Sequence, residues 1–132
     1  MTYDKRENGL TPGIVSATGL EITVDRGEEG NLVSLRGRLG IESSPAFRDQ
    51  LLAELRGQSP KAVVVDMTEV SYIDASGVAT LVEGLKIARG RQNTLCLKGL
   101  QGRALRLFEV TGLLHLFETN GCRSASTLSK VP

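Results

Sequence analysis

The chain has no tryptophan, three phenylalanines, two tyrosines, two cysteines and a single histidine. Five aromatic rings are too few for a platform on which nucleic-acid bases stack. Cys96 and Cys122 make neither a disulfide framework nor a metal-ligand spacing. One histidine, His115, with two distant cysteines does not make a metal site. Charge of one sign is lacking as well, because 16 Lys and Arg stand against 15 Asp and Glu, a net of +1. That balance gives no long-range attraction to nucleic acid or to an anionic membrane. No apolar run approaches the roughly 18 residues of a membrane span. The opening MTYDKRENGL has no apolar stretch of the signal-peptide kind. A cytoplasmic protein follows as the expectation, with reduced thiols and no direct membrane insertion. Neither G-x-G-x-x-G nor a Walker loop occurs, so no nucleotide cofactor is expected.

With 132 residues, the chain is long enough for one domain and one core. Residues 1–18 have no apolar period and read as a flexible N-terminal tail, with Ile14 and Val15 able to pin it locally. The domain is expected over residues 19–132. Leu20, Ile22 and Val24 alternate with polar residues, as in a half-buried strand. A turn-rich stretch, Arg26 to Asn31, leads into a second strand from Leu32 that reaches Arg38 or Leu39, so the two should form an antiparallel hairpin. Ser44 and Pro45 read as the cap and first residue of a helix whose apolar face is Phe47, Leu51, Leu52 and Leu55. The run Ala62-Val63-Val64-Val65 reads as a strand central in a sheet or covered on both faces. Val78, Leu81, Val82 and Leu85 give a second helix starting near Ser76, with Gly84 inside it for close packing. Thr94 to Leu97 is a short strand, and Cys96 a small core residue within it. Gly102 to Thr111 is a third helix. Leu113 to Phe117 is expected in extended or short-strand form, followed by a polar end with one weak helix. A helix between strands implies a right-handed parallel crossover. The expected fold is α/β, with a mixed four- to five-stranded sheet, an antiparallel edge hairpin and packed helices.

The stretch with chemical content runs from Val63 to Gly77. A buried strand, a connecting loop and a helix N-terminus follow one another there. Ser76 falls in the first helical turn, where backbone N–H groups lack partners and the helix dipole is positive. A phosphate on Ser76 would meet those donors, and Gly77 adds no side chain to obstruct it. The plainer reading is that Asp74 or Ser76 caps the helix, and spacing by itself favours that reading. A hydrolase triad of Ser76, Asp74 and His115 is disfavoured, since IDASGV is not a nucleophile elbow and His115 sits in the apolar run LLHLF. No catalytic activity is expected.

The run from Asp66 to Gly77, ending Asp74-Ala75-Ser76-Gly77, resembles the STAS domain of anti-sigma factor antagonists and sulphate-transporter tails. The resemblance extends back through Leu35-Arg36-Gly37-Arg38-Leu39 and forward through Leu105 to Leu113, covering about Gly19 to Phe117. It implies a STAS-like α/β fold and a phosphorylatable serine at Ser76, with Asp74 and Gly77 shaping its helix N-terminus. It also implies a docking face that includes Ser71, Tyr72, Asp74 and Ser76, with the neighbouring loop from Arg38 through Gly40 to Glu42. The partner it implies is a GHKL-type serine kinase that is also the anti-sigma factor, with a phosphatase as a further partner. Many relatives are acidic where this chain has Arg38 and Gly40, and many carry a second hydroxyl where it has Ala75. The implied function is that of an anti-sigma factor antagonist, a transcription-regulating signalling phosphoprotein that frees a sigma factor by engaging the kinase. The alternative is the cytoplasmic STAS subunit of a lipid-asymmetry ABC transporter.

Overall fold

A computed structural model of the protein describes residues 13–28, 30–57 and 62–118. In chain order it contains β1 (Gly13–Ala17), β2 (Leu20–Arg26), β3 (Asn31–Leu39), α1 (Ser44–Arg56), β4 (Ala62–Ile73), α2 (Ala75–Gly90), β5 (Thr94–Lys98), α3 (Gly102–Val110) and α4 (Leu113–Glu118). The strands lie side by side in sequence order as one five-stranded sheet. β1, β2 and β3 are antiparallel, and β3, β4 and β5 are parallel. The helices α1 and α2 make the two parallel crossovers, as right-handed β-α-β units require.

Alternation decides the faces. Leu20, Ile22 and Val24 of β2 are buried, as are Val33, Leu35 and Leu39 of β3 and Val63, Val65 and Met67 of β4. They meet Phe47, Leu51 and Leu55 of α1 and Leu81, Leu85 and Ala88 of α2 in one core. Gly84 belongs to this packing. A Cβ there would lie 2.6 Å from Leu51 Cδ2 and 3.1 Å from Leu95 Cδ2, so its absence lets α2 settle onto α1 and β5. At the hairpin end Glu54, 3% exposed, accepts from Arg26 Nη2 at 2.7 Å and from Asn31 Nδ2 at 2.8 Å. The carboxylate thereby ties α1 to β2 and β3.

Several expectations are corrected. Gly13 to Ala17 are a strand, closed onto β2 by a turn with Thr18 at φ 42° and Gly19 at φ 84°. The two-residue turn with positive φ suits a hairpin. Only residues 1–12 of the expected tail lie outside the described residues. Val64 is half-buried, whereas Val63 and Val65 have no exposure. Of the two readings of this run, the strand central in the sheet is the one found, between β3 and β5, with its two faces unequally buried. β4 also continues to Ile73 where a connecting loop was expected, because β3 pairs with it as far as Leu39–Ile73 across two register irregularities. Leu113 to Glu118 form a helix rather than an extended segment, and Phe117 packs on Phe108 with ring centroids 6.0 Å apart. Ser43, not Ser44, is the N-cap of α1, and its side chain bonds none of the helix amides. Cys96 is disulfide-bonded, against the expectation of a reduced thiol. The other cysteine, Cys122, and the weak C-terminal helix lie outside the described residues. Among the described residues no helix is long and apolar enough to cross a membrane.

Candidate functional site

Parallel pairing brings the C-terminal ends of β3 and β4 to one edge, where Arg38 faces Tyr72 and Leu39 faces Ile73. The chain leaves both strands there and enters α1 and α2. Two helix N-termini, each a positive dipole end, thus stand together. This juxtaposition builds the site.

Asp74 is the N-cap of α2. Its Oδ1 accepts from the Ser76 N–H at 3.0 Å, the Gly77 N–H at 3.3 Å and the Ser76 hydroxyl at 2.6 Å. Its Oδ2 accepts from the Ile41 N–H at 3.2 Å, and the Asp74 N–H donates to Leu39 O at 3.3 Å. The Ser76 hydroxyl, followed by the Gly77, Ser76 and Ile41 amides, holds the Asp74 carboxyl below its ordinary range, against an opposing desolvation. Asp74 therefore joins the first turn of α2 to the loop after β3.

Ser44 enters this network from the other helix. Its Oγ lies 3.1 Å from Ser76 Oγ and 2.8 Å from Gly40 O. Two hydroxyls, with one proton each, thus make three short contacts: to Gly40 O, to Asp74 Oδ1 and to one another. Only two can carry a proton at a time. When Ser76 donates to Asp74, Ser44 either donates to Ser76 or keeps Gly40 O. Ser43, 1% exposed, supports the same loop by donating to Arg38 O at 2.8 Å and accepting from the Gly40 N–H at 3.1 Å.

The sequence-derived residues fall around this network. The Arg38 guanidinium carbon sits 4.1 Å from the centroid of the Tyr72 ring, a cation–π contact on the surface. Gly40 is buried beside it, and a Cβ there would lie 3.0 Å from Asp74 Oδ2 and 3.2 Å from Tyr72 Cε2. Glu42 is exposed and joins no ion pair with the described residues. Ser71 is an exposed strand residue, next to the patch but turned into a groove beside α3. Ser76 is half-buried.

Two details differ from the sequence reading. The amides of Ser76 and Gly77 are not vacant, since Asp74 occupies both. Gly77 does not clear a path for an anion either: its missing Cβ would lie 2.7 Å from Leu39 O and 2.8 Å from Leu39 Cγ, inside the protein. It lets α2 begin against the end of β3. Sequence reasoning missed Ser44 as a partner of Ser76, and no local signal reports a contact across 32 residues. Within the expected docking loop, Arg38 to Glu42, the structure singles out Ile41, 74% exposed and held through its N–H by Asp74.

His115 is exposed on α4 and hydrogen-bonds neither Ser76 nor Asp74. Among the described residues no three or more His, Cys, Asp or Glu are grouped to hold a metal ion.

The chain is similar to known proteins. Residues 22–118 match the family described as "Mlab, STAS domain". The anti-sigma-B factor antagonist of Listeria monocytogenes is 48% identical over 54 residues, 41% of this chain and 47% of that protein, so the match spans about half of its length. The anti-sigma-B factor antagonist of Staphylococcus aureus is 31% identical over 88 residues, 67% of this chain and 81% of that protein. Among solved structures, an anti-sigma factor antagonist from Mycobacterium paratuberculosis superposes with a TM-score of 0.64. It has 22% identity, covering 74% of this chain and 82% of that one.

Proposed function

The chain belongs to the STAS domain family, and on that premise we propose that it is an anti-sigma factor antagonist switched by phosphorylation of Ser76. The observation that carries the reading is the 2.6 Å hydrogen bond from the Ser76 hydroxyl to Asp74 Oδ1, on a carboxylate whose other oxygen holds Ile41. Unphosphorylated, the patch of Arg38, Tyr72, Ile41 and the α2 N-terminus docks on a GHKL-type serine kinase that is also the anti-sigma factor. The sigma factor is thereby released. Phosphorylation removes the proton that Ser76 gives to Asp74. It also sets about −1.5 to −2 charge beside that carboxylate. Asp74 is pushed away, its hold on Ile41 weakens, and the docking patch changes shape as well as charge. A phosphatase would restore it. The chain acts by binding in the cytoplasm, with no catalysis and no cofactor of its own.

A second reading has a specific observation in its favour. Asp74 already satisfies the Ser76 and Gly77 amides, so the α2 N-terminus is complete without phosphate. That suits the cytoplasmic STAS subunit of a lipid-asymmetry ABC transporter, which would use the same patch as a permanent contact.

The test is phosphopeptide mapping of the full chain after incubation with ATP and the kinase that co-purifies with it. Phosphate on Ser76, with release of the kinase, supports the switch. Phosphate on Ser71 alone overturns the site. No phosphate, with stable association with a transporter ATPase, moves the function to the second reading.

A further inference from the structure

β4 outruns its neighbour on one side. β5 pairs with it only from Ala62 to Asp66. The Thr68 carbonyl is then taken by the Gln101 side-chain amide at 2.7 Å. From Glu69 to Ile73, β4 keeps β3 as its partner, and among the described residues no strand lies along the opposite edge. Helix α3 stands across from that edge. Between them runs a groove of about 990 Å³ whose lining includes Val70, Ile73, Leu107 and Val110, with Arg103 and Arg106 beside them.

The groove has a definite chemistry. Val110 is 74% exposed, so apolar surface is left open to water. Arg103 and Arg106 are exposed and one turn apart on the same side of α3. Neither is joined to an acid among the described residues, and no described acidic residue lines the groove. An unpaired edge offers backbone N–H and C=O groups to an incoming strand. The apolar lining can receive alternate side chains of that strand. Two uncompensated guanidinium groups favour carboxylates on it.

We propose that this groove docks an extended, acidic segment of a partner protein, which adds to β4 as a strand beside residues 70–73. The nine residues of α3 span about 13 Å, a length that about four extended residues match. This surface goes beyond the Ser76 switch and does not depend on it. It adjoins the docking patch through Tyr72, so one partner could span both.

The probe is a capped peptide of alternating valine and glutamate, titrated into the full-length ¹⁵N-labelled chain. Saturable shifts of the Val70 to Ile73 amides and of α3 are expected. Arg103→Glu combined with Arg106→Glu should weaken binding by about tenfold. Both side chains are exposed, and an unchanged amide spectrum away from the groove confirms that the variant folds. The titration uses the unphosphorylated chain with no kinase present, which separates the proposal from the fate of the phosphoswitch. A peptide N-methylated at every second backbone nitrogen along the edge facing β4 should not bind. Equal binding by that peptide, or by the valine–lysine counterpart, overturns the proposal. So does the absence of saturable binding by the valine–glutamate peptide. Shifts produced by dodecanoate and not by the peptide also overturn it, and would assign the groove to an anionic amphiphile.

Discussion

Ser44 Oγ and Ser76 Oγ lie 3.1 Å apart, one in the first turn of each crossover helix, although 32 residues separate them in the chain. The contact exists because β3 and β4 run parallel and release the chain at the same edge. Ser44→Ala removes a hydroxyl from a site that is 6% exposed. Gly40 O keeps a partner, since the Ser44 N–H also donates to it at 2.8 Å. The expected cost is therefore that of one ordinary hydrogen bond, about 0.5–1.5 kcal/mol, read as a lower urea midpoint. A loss above that range would mean that the loop after β3 collapses with the hydroxyl.

Asp74 should titrate below the ordinary carboxylate range in the folded protein, with the Ser76 hydroxyl as the largest cause. Its folded pKa is depressed, so its contribution to stability is complete above the unfolded value of about 3.9. That contribution is lost as pH falls through the folded value, below which both states are protonated. Carboxyl ¹³C titration checks the direction. Ser76→Ala should move the Asp74 pKa upward, toward the ordinary range. An unmoved Asp74 in that variant would rule out the hydroxyl as the dominant partner.

Two glycines of α2 should respond oppositely to the same substitution. Gly77→Ala drives a Cβ to within 2.8 Å of Leu39 Cγ and closer still to its carbonyl oxygen. Overpacking of this kind costs about 1–3 kcal/mol. Gly90→Ala meets nothing within 4 Å and should stabilise by about 0.4–1 kcal/mol through the unfolded chain. Thermal melts of the pair settle it, and destabilisation by both would place the strain in the helix itself.

A residue of α2 and one of β4 should differ as well. Leu81 has no exposure, so Leu81→Ala should cost about 2–5 kcal/mol by leaving a cavity. Val64 is half-buried on the opposite side of β4 from Val63, and Val64→Ala should cost less than about 1 kcal/mol. Similar urea midpoints for the two variants would contradict the face assignment.

Local pattern was enough for β2, β3 and α1. Period two in Leu20, Ile22 and Val24, the turn from Arg26 to Asn31, and the helical spacing of Phe47, Leu51 and Leu55 each constrain a few adjacent residues. Such patterns survive in the sequence because burial of one face demands them. Two apolar runs are less informative for the same reason. Neither Ala62 to Val65 nor Leu113 to Phe117 shows which side chains face the core, and only the packed partners decide that. Thus β4 became an alternating strand over α1 and α2, and α4 became a helix because Phe117 packs against Phe108.

The site divides along the same line. Asp74, Ser76 and Gly77 are adjacent, and the cap that joins them is a local hydrogen-bond pattern that their spacing alone announces. Everything that makes the cap more than a cap is non-local. Ile41, Ser44, Arg38 and Tyr72 reach it only through the pairing of β3 with β4, where Arg38 comes to face Tyr72 and Leu39 to face Ile73. The role of Gly77 reversed for the same reason, since Leu39 O, and not solvent, occupies the space its Cβ would take. Sequence by itself determined which residues could cap a helix and bear a phosphate. Tertiary structure decided what those groups hold, because contacts across tens of residues follow strand register and leave no period in the chain.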